Sequence, residues 1–574
     1  MNKVYGIDLG TTYSAIATLD GNGMPEVIEN FADSIPLLAS AVYFPEGGNP
    51  VIGKESKNQI EIEPDRVVQY VKRQIGKSDA QKWDFDGVQY DPITISSLIL
   101  KRMKEYSDEQ GYDVKDVVIT CPAYFGIEER NATRQAGVIA GLNVLNIVNE
   151  PTAAALNYCC REFKENRKIM VYDLGGGTFD VTLFDFAVDD SGKATIDVIN
   201  SDGNDRLGGI DWDNRLFDYI CELYDDENGV SAEEMEADLR QKIRSAVEDT
   251  KKALSNMTNK SFTINYAGDS CRLEVTRDKF EEITRDLIEQ TLDFVRQLLS
   301  GANIAESSVD VVLLVGGSTK MPMVKTAVET LFPGKVRFEQ PDLAVAKGAA
   351  LAAAVEFNEQ IKRLIAEDGE IISTDDETVI VSGDSFGNEQ PRISKEKADE
   401  LLIDVPDIFS GDGVVSDKLS RSFGPAIFSD GRYAIDNLLF IGDDSPSEST
   451  KTYGTMVDNQ TLVDLSIFEN VSIDRVNTLV TPCINENDEE QYTDPMLKVK
   501  SLGKLEVELP PHAPVGSPIE VTMRCSGRGL EVKARNPATN QIFETEIAFD
   551  TAYSDTEVQE ATKRLAEIQT SGQI

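Results

Sequence analysis

Two hydrophobic periods alternate along the first part of the chain. Short apolar runs such as Val117–Thr120 precede longer segments in which apolar residues recur at helical spacing, for example Glu128–Gly141. Strands that alternate with helices are typical of an α/β architecture. The pattern therefore predicts an α/β domain over residues 1–356. This domain ends near the small-residue run Gly348–Ala354, which suits a closely packed helix.

The polar pattern changes after residue 356. An acidic stretch with glycine and serine follows, and residues 357–421 are interpreted as an insertion and a connector. Residues 422–550 alternate apolar and polar positions between Pro, Gly and Asn turns, which is typical of a β-sandwich. The segments that carry this alternation are Thr461–Phe468, Lys504–Leu509 and Ile519–Met523. Residues 551–574 contain one predicted short amphipathic helix, over Ser554–Thr570.

One short pattern occurs twice in the α/β part. Gly6–Thr12 reads GIDLGTT and Tyr172–Thr178 reads YDLGGGT, so that Asp8 and Asp173 stand 165 residues apart. That separation is the size of a whole structural unit. The simplest explanation is two related halves, each of which presents an aspartate and a Gly-Thr turn to a shared cleft.

The two glycine turns suit phosphate binding. Glycines let backbone N–H groups approach phosphate oxygens, and threonine hydroxyls add donors. Asp8 and Asp173 would then hold Mg²⁺, because a hard cation that bridges nucleotide phosphates prefers carboxylate and water oxygens. For either aspartate alone, the alternative is a carboxylate that caps its own turn. The candidate phosphate-binding residues are Gly10, Thr11, Thr12, Gly175, Gly176, Gly177 and Thr178.

A third glycine turn follows the apolar run Val311–Val315 and would suit the ribose and base of a nucleotide. A different candidate, Gly48–Lys54, matches the start of a P-loop, but Glu55 stands where a P-loop needs Ser or Thr for the metal. We therefore interpret that segment as a strand and a turn. The residues of the third turn are Gly316, Gly317, Ser318 and Lys320.

Composition narrows the partners and the chemistry. The net charge of −44 repels polyanions, so we expect no nucleic-acid partner. The single histidine, His512, excludes histidine-based catalysis and zinc sites built on histidine. The seven cysteines form no C-x-x-C pair, which predicts reduced thiols. No run approaches the ~20 apolar residues of a membrane span, and the chain opens on a strand rather than a leader, so we expect a cytoplasmic protein with no membrane role.

These motifs together resemble those of the 70-kilodalton heat-shock (DnaK-type) chaperone family, within the actin and sugar-kinase ATPase superfamily. The resemblance also rests on Asn149–Ala155 (NEPTAAA) and Cys121–Phe125 (CPAYF), and it covers about Lys3–Val355. It implies a two-lobed actin-like ATPase domain, then a β-sandwich that binds peptide and a short C-terminal helix. The implied cofactors are ATP or ADP and Mg²⁺, with K⁺ as a further candidate ion.

The resemblance implies a catalytic role for five residues. Lys72, in the run VKRQIG, would position the water that attacks the γ-phosphate, and Glu150 would help to orient that water. Thr178 would place a hydroxyl near the γ-phosphate, and Asp8 and Asp173 complete the set. Phosphoryl transfer requires this kind of positioning and charge neutralisation. The alternatives are a surface lysine at position 72 and a helix cap at position 150.

Further nucleotide contacts follow from the same resemblance. Lys320 stands where relatives usually carry arginine, whose flat guanidinium stacks on a base better than an ammonium does, so we expect a lower nucleotide affinity. Pro122 and Arg130 match a relay between the nucleotide and the partner domain. The remaining implied ATP-binding residues are Tyr13, Gly208, Gly209, Glu248, Lys251, Lys252, Ser255 and Asp342.

The C-terminal part resembles the peptide-binding domain of the family more loosely. Val463 and Leu465 match pocket positions, and Leu462 and Tyr433 are weaker candidates; core packing is the alternative for each. Asp399–Val405 (DELLIDV) resembles the interdomain linker, behind an insertion of about forty residues. Relatives cover the peptide site with a long helical lid, so the short C-terminal helix is interpreted as a truncated lid. Peptide binding should then be weak, and bound peptide should exchange fast.

Three functions fit these observations. The first is an ATP-dependent molecular chaperone that binds unfolded or extended polypeptides and works with a J-domain co-chaperone and a nucleotide exchange factor. The second is a nucleotide-binding co-chaperone or exchange factor with little turnover, which the intact catalytic set disfavours. The third is a small-molecule kinase on the same scaffold, which the β-rich extension disfavours.

Overall fold

A computed structural model gives the positions of most of the 574 residues. Up to residue 363 it describes residues 3–30, 36–77, 79–162, 165–230, 235–266, 268–338 and 340–363. Beyond residue 363 it describes 379–381, 390–392, 400–406, 409, 415–429, 431–445, 447–476, 478–480, 483–484, 490–491, 497, 499–510, 512–526, 529–546, 553–568 and 570.

Among the residues that the structure describes, helices occur mainly in the first 363. The α-helices are α1 (Lys54–Gln59), α2 (Pro92–Glu109), α3 (Ile127–Ile139), α4 (Glu150–Glu162), α5 (Gly209–Asn228), α6 (Ala237–Asn256), α7 (Arg277–Ile283), α8 (Arg285–Gly301), α9 (Pro322–Leu331), α10 (Ala344–Arg363) and α11 (Asp555–Glu567). Short 3₁₀ turns span Pro64–Arg66, Val71–Gln74, Glu306–Ser308 and Gly317–Lys320.

Strands occur on both sides of residue 363. Those before it are β1 (Val4–Asp8), β2 (Tyr13–Leu19), β3 (Pro25–Val27), β4 (Leu38–Ala39), β5 (Ala41–Tyr43), β6 (Val51–Ile52), β7 (Val67–Gln69), β8 (Trp83–Phe85), β9 (Val88–Tyr90), β10 (Asp116–Cys121), β11 (Asn143–Asn149), β12 (Arg167–Leu174), β13 (Phe179–Val188), β14 (Ala194–Asn204), β15 (Asn259–Tyr266), β16 (Asp269–Thr276), β17 (Val311–Val315) and β18 (Val336–Arg337). Those after it are β19 (Val379–Val381), β20 (Gln390–Arg392), β21 (Val415–Lys418), β22 (Ser422–Ser429), β23 (Arg432–Asp436), β24 (Asp444–Ser445), β25 (Ser447–Gly454), β26 (Leu462–Asn470), β27 (Leu479–Val480), β28 (Cys483–Ile484), β29 (Glu490–Gln491), β30 (Lys500–Glu508), β31 (Pro518–Ser526), β32 (Gly529–Asn536) and β33 (Gln541–Glu546).

The N-terminal region contains two mixed sheets with the same local topology. In the first, β1 pairs antiparallel with β2 and parallel with β10, and β10 pairs parallel with β11. In the second, β12 pairs antiparallel with β13 and parallel with β17, and β17 pairs parallel with β18. The repeated sequence pattern therefore marks the same hairpin in both sheets. Asp8 ends β1, and Asp173 is the penultimate residue of β12.

The helix α10 packs closely against both β1 and α4 because glycines face it or belong to it. A Cβ on Gly6 would lie 2.0 Å from Ala350 N, and a Cβ on Gly348 would lie 1.6 Å from Ala153 O. Neither position can accept a larger residue without moving the backbone. The close packing predicted for Gly348–Ala354 is thus present. The helix runs to Arg363, so the boundary predicted at residue 356 falls inside it.

The C-terminal region contains a five-stranded sheet and a four-stranded sheet that share one core. The five-stranded order is β27-β23-β22-β26-β30, and the four-stranded order is β25-β31-β32-β33. Ile467 of β26, Val521 of β31 and Val532 of β32 are all fully buried in that core. Inward and outward residues alternate along β32, as in any strand with one covered face.

The segment between the two regions contacts the N-terminal region. Ile403 N donates to Asn358 Oδ1 at 2.8 Å, and Asn358 Nδ2 donates to Ile403 O at 2.8 Å. The Asn358 side chain on α10 thus satisfies both backbone groups of Ile403, as a paired strand would. Ile403 and Val405 pack against the core around α10. Of the predicted insertion, the structure describes the end of α10 and the hairpin β19–β20. The first linker residue, Asp399, lies outside the described residues.

The two C-terminal sheets contact the start of α3. Ile127 is buried in their core, and Ser420 Oγ donates to Phe125 O at 3.0 Å. Lys500 of β30 forms an ion pair with Glu128 of α3. This contact joins the β-rich region to the helix that follows the predicted relay proline.

The helix α11 packs against α2 and α3. Ser554 caps it: the Ser554 hydroxyl accepts from Glu557 N, and Ser554 N donates to Glu557 Oε2 at 2.8 Å. Its apolar residues Ala561 and Leu565 are buried in the core formed with those helices. This helix was predicted to be a truncated lid of the peptide site. Its hydrophobic face is instead buried against the N-terminal region.

Candidate nucleotide site

The turns after β1 and β12 touch each other. A Cβ on Gly176 would lie 2.5 Å from Thr12 Cγ2, and a Cβ on Gly177 would lie 2.6 Å from Thr11 Cγ2. Only glycine leaves room for the two threonines of the opposite turn. The prediction that two Gly-Thr turns face one cleft agrees with this geometry.

The third turn and the start of α5 close around the second turn. Ser318 Oγ donates to Gly175 O at 2.8 Å, and Gly209 N donates to the same oxygen at 3.0 Å. Gly316 has a positive φ of 84°, and a Cβ there would lie 2.4 Å from Leu174 O. Gly208 packs its Cα against the backbone of Gly177. These contacts fix the relative positions of all three turns.

A cleft of about 620 Å³ lies between these turns. A cleft of this volume can hold a nucleotide. Most of the predicted ATP-binding residues line it, whereas Gly177 and Gly208 are not part of its lining. The predicted residues in the lining are Asp8, Gly10, Thr11, Thr12, Tyr13, Lys72, Glu150, Asp173, Gly175, Gly176, Thr178, Gly209, Glu248, Lys251, Lys252, Ser255, Gly316, Gly317, Ser318, Lys320 and Asp342.

Buried carboxylates crowd the deep end of the cleft. Burial raises the pKa of Asp8 to about 7, and the Glu150 carboxylate adds to this shift. Burial also raises the pKa of Asp173 and of Asp180 well above the usual range, again with repulsion from Glu150. Asp180 Oδ1 is buried with no hydrogen-bond partner among the described residues. The nearby Lys72 ammonium offsets only part of this negative charge, and a bound cation would offset more of it.

Lys72 and Glu150 form a buried ion pair beside these carboxylates. Lys72 is 6% exposed, and its ammonium contacts Glu150 Oε1. Burial alone would lower the pKa of Lys72, but Glu150 and Asp8 outweigh it and raise the pKa. Lys72 thus stays charged, and it is held at the cleft wall rather than on the surface. Thr178 is also buried, at 8% exposure.

An ion cluster crosses the mouth of the cleft. Glu248 of α6 binds Lys57 of α1 and Lys252, each at 2.7 Å. Both ammonium groups also donate to the Tyr13 hydroxyl, Lys252 at 3.0 Å and Lys57 at 3.3 Å. Burial would raise the pKa of Glu248, but the two lysines lower it to about 2. Lys57 was not among the predicted cleft residues; the segment just before it, Gly48–Lys54, was predicted to be a strand and a turn.

The remaining predicted cleft residues are held by polar contacts. Lys251 Nζ donates to Gly209 O and to Asp213 Oδ2, both at 2.7 Å. Lys320 forms an ion pair with Asp342. Ser255 Oγ donates to Lys251 O at 3.4 Å. Lys251 therefore braces the start of α5.

The two predicted relay residues lie outside the cleft lining. Pro122 O accepts from Phe125 N at 3.1 Å, and Arg130 Nε donates to Phe125 O at 3.2 Å. Arg130 also contacts the side chain of Asn149, the residue before Glu150. A bonded path thus runs from α3 to the end of β11.

Two further residues, which were not predicted, lie beside the second turn and the buried carboxylates of the cleft. Arg73 Nε donates to Gly177 O at 2.9 Å, and Asp180 lies in β13 two residues after Thr178. Asp180 could have been found from the sequence, because it is a charged residue within a mostly apolar strand. Arg73 had no comparable sign, because arginine next to a lysine reads as surface charge.

The predicted peptide-binding residues do not share one environment. Leu465 is 6% exposed in the core of the two C-terminal sheets, and Val463 packs partly against that core. Leu462 and Tyr433 are 42% and 40% exposed. Tyr433 also meets Phe428 edge to face, with ring centroids 5.2 Å apart. The exposed pair is therefore accessible to a ligand, whereas Leu465 fills the interior.

The family model described as "Hsp70 protein" matches residues 4–399. This chain belongs to the Hsp70 family. The match contains every turn of the Hsp70 cleft described above, together with Lys72 and Glu150. It ends before the two C-terminal sheets begin.

Several curated relatives resemble this Hsp70 chain over its N-terminal part. The "Chaperone protein DnaK" of Thermotoga neapolitana is 40% identical over 362 residues, which is 61% of this chain and 59% of the relative. The protein of the same name from Thermotoga maritima gives the same values, and that from Thermosipho melanesiensis is 39% identical over 366 residues, 62% of this chain and 60% of the relative. The Hsp70 chain thus matches about three fifths of the length of these relatives. Among its described helices, none is both long and apolar enough to cross a bilayer.

Proposed function

We propose that this Hsp70 chain is an ATP-dependent chaperone, which binds and hydrolyses ATP in the cleft and couples this to binding and release of unfolded polypeptide. The observation that carries the proposal is the interlocking of the two Gly-Thr turns beside a buried Lys72–Glu150 pair. The N-terminal region would be a two-lobed actin-like ATPase domain, and the two C-terminal sheets a peptide-binding β-sandwich. The proposed setting is the cytoplasm.

The donor set fits Mg²⁺. Asp8 and Asp173 are buried carboxylates that repel each other, so a divalent ion bound between nucleotide and protein would relieve that repulsion. Mg²⁺ keeps water and phosphate oxygens as ligands and needs only one or two protein carboxylates, so Asp8 and Asp173 suffice. When bound, the ion would neutralise phosphate charge, and K⁺ is a further candidate.

Hydrolysis would depend on the geometry of Lys72, Glu150 and Thr178. The buried ammonium of Lys72 can hold a water molecule by hydrogen bonding while Glu150 fixes the position of the ammonium. The Thr178 hydroxyl lies in the same cleft wall and offers a further polar contact. The chain thereby positions a nucleophile without forming a covalent intermediate, as phosphoryl transfer requires.

The β-rich region would bind extended apolar segments through Tyr433 and Leu462, because both are exposed apolar side chains. Val463 and Leu465 would support these residues from the interior. The relay residues Pro122 and Arg130 would transmit the nucleotide state to the contact between α3 and the sheets. The proposed partners are a J-domain co-chaperone and a nucleotide exchange factor.

The contact between α3 and the sheets should weaken as pH rises. Burial raises the pKa of Glu469 to about 7; Arg421 and Lys500 oppose the shift, while Glu129 and Glu128 add to it. Glu469 has a usual pKa of 4.5, so the docked arrangement binds an extra proton between pH 4.5 and about 7. Its stabilisation is fully present below pH 4.5 and is lost as pH rises through about 7.

Small-angle X-ray scattering between pH 5.5 and 8.5 would measure this dependence. We expect the radius of gyration to increase with pH in the unmodified chain. In Glu469→Gln the acid is removed, so the increase should be much smaller. An identical pH profile in both proteins would contradict the role of this carboxyl.

Peptide-stimulated ATP hydrolysis by the intact chain tests the proposed function. An extended apolar peptide should raise the steady-state rate in the unmodified chain. The double variant Tyr433→Asp, Leu462→Asp should keep the basal rate and lose the stimulation. Ile473→Asp is the matched control, because Ile473 is 75% exposed in the same region and has no assigned role. No hydrolysis by the unmodified chain, or stimulation that survives the double variant, would contradict the proposal.

A further inference from the structure

The cleft carries an exposed phenyl ring that has no part in the functions proposed so far. Phe338 lines the cleft and is 42% exposed. It directly follows β18 and is not among the predicted site residues. An exposed aromatic ring in the lining of a cleft of ligand size is accessible to a ligand bound there.

Phe338 lies at the mouth of the cleft. Asp173 and Lys72 are only 7% and 6% exposed, so the end that would receive the phosphates is the deep one. Gly316 N donates to Pro341 O at 3.1 Å, which holds the segment of Phe338 beside the third turn. A nucleotide with its phosphates at the deep end would place its base toward the mouth.

Other side chains near the mouth are already engaged. The ring of Tyr13 has the ammonium groups of Lys57 and Lys252 above it, at 4.8 and 5.0 Å from its centroid. The ammonium of Lys320 is paired with Asp342. Within the described residues, Phe338 has neither an aromatic ring nor a cation stacked on it. Its face is therefore available to a planar ligand.

We propose that Phe338 stacks on the base of the bound nucleotide and so sets the base affinity of the site. This inference rests on the proposed function, since it needs a nucleotide whose phosphates occupy the deep end. A phenyl face attracts any base by stacking and makes no hydrogen bond to it. The contact should therefore favour the larger purine ring system over a pyrimidine, rather than select one purine.

Calorimetric titration of the full chain with Mg²⁺ and three probes tests the inference. The probes are ATP, UTP and inorganic tripolyphosphate, which has no base. In Phe338→Ala the affinity for ATP should fall roughly 5- to 150-fold, the range expected for loss of one base–aromatic stack. The affinity for UTP should fall less, and that for tripolyphosphate should not change. Phe338→Trp keeps an aromatic face at this position, so it should bind ATP about as tightly as the unmodified chain does.

The control is Phe428→Ala, because Phe428 is 48% exposed but lies in the β-rich region. It should leave all three affinities unchanged. Unchanged ATP binding in Phe338→Ala would overturn the inference and leave the proposed function standing. Equal losses for ATP and tripolyphosphate would overturn it too, since they would indicate a distorted cleft. Absence of ATP binding in the unmodified chain would instead contradict the proposed function.

Discussion

Lys72→Ala should lower single-turnover ATP hydrolysis by about 100-fold or more while Mg²⁺-ATP still binds. Lys72 is buried and held by Glu150, so it is a fixed positive group at the deep end of the cleft. Loss of one preorganised group of this kind lowers a rate by about 10²- to 10³-fold. Quenched-flow measurement of ADP formation gives the rate, and titration with a fluorescent nucleotide gives the affinity.

Lys77→Ala is the matched control for this substitution. Lys77 lies five residues further along and pairs with the more exposed Asp205 at 3.0 Å. Its removal should leave hydrolysis unchanged. Removal of Lys72 also leaves Glu150 as an unpaired buried charge, so thermal unfolding must show that the variant is folded. A folded Lys72→Ala protein that hydrolyses ATP within about threefold of the normal rate would contradict the assigned role.

Gly208→Ala should weaken nucleotide binding by roughly 5- to 150-fold, the range expected for overpacking by one methyl group. The added Cβ would lie 2.5 Å from the carbonyl carbon of Gly177 and 2.6 Å from Thr178 N. These neighbours are backbone atoms and cannot rotate away, so α5 and the second turn must separate. The turn would then lose its contact with Thr11 and Thr12. Calorimetric titration with ADP measures the effect.

Gly21→Ala is the control for this second substitution. Gly21 lies in a turn with no atom within 4 Å of an added Cβ, so its replacement should not change ADP affinity. Equal affinities for Gly208→Ala and Gly21→Ala would show that the second turn tolerates displacement. The interlocked turns would then not be needed for binding.

The turns of the site could be predicted because each is encoded locally. The Asp and Gly-Thr residues at the end of a strand specify the backbone conformation of the turn that they form. The second copy of this pattern indicates that two such turns share a cleft. Asp8, Asp173 and the three glycine turns all meet in the cleft as the sequence indicates. The two C-terminal sheets were also predictable, because alternation of polar and apolar residues is a local property of strands.

Contacts between distant parts of the chain could not be predicted in this way. Lys57 and Glu248 are 191 residues apart and meet only because α1 and α6 face each other across the cleft. The segment before Lys57 was expected to form a strand and a turn; the strand Val51–Ile52 is present, but α1 begins at Lys54. The position of α11 on α2 and α3 likewise depends on tertiary packing of an amphipathic stripe, whose period does not specify its partner.

The β-rich region is tethered at both ends. The segment before it is held at Ile403 by Asn358, and the helix after it is held through Tyr553, whose backbone bonds to Gln135 at 2.7 and 2.9 Å. Because α11 is attached to the molecule it binds, its binding is an intramolecular step with a high effective concentration. A free peptide copied from α11 would have to reach a similar concentration to displace it. Cleavage of the chain between the last strand and Tyr553 would abolish that advantage, and a detached α11 would then be free to diffuse away.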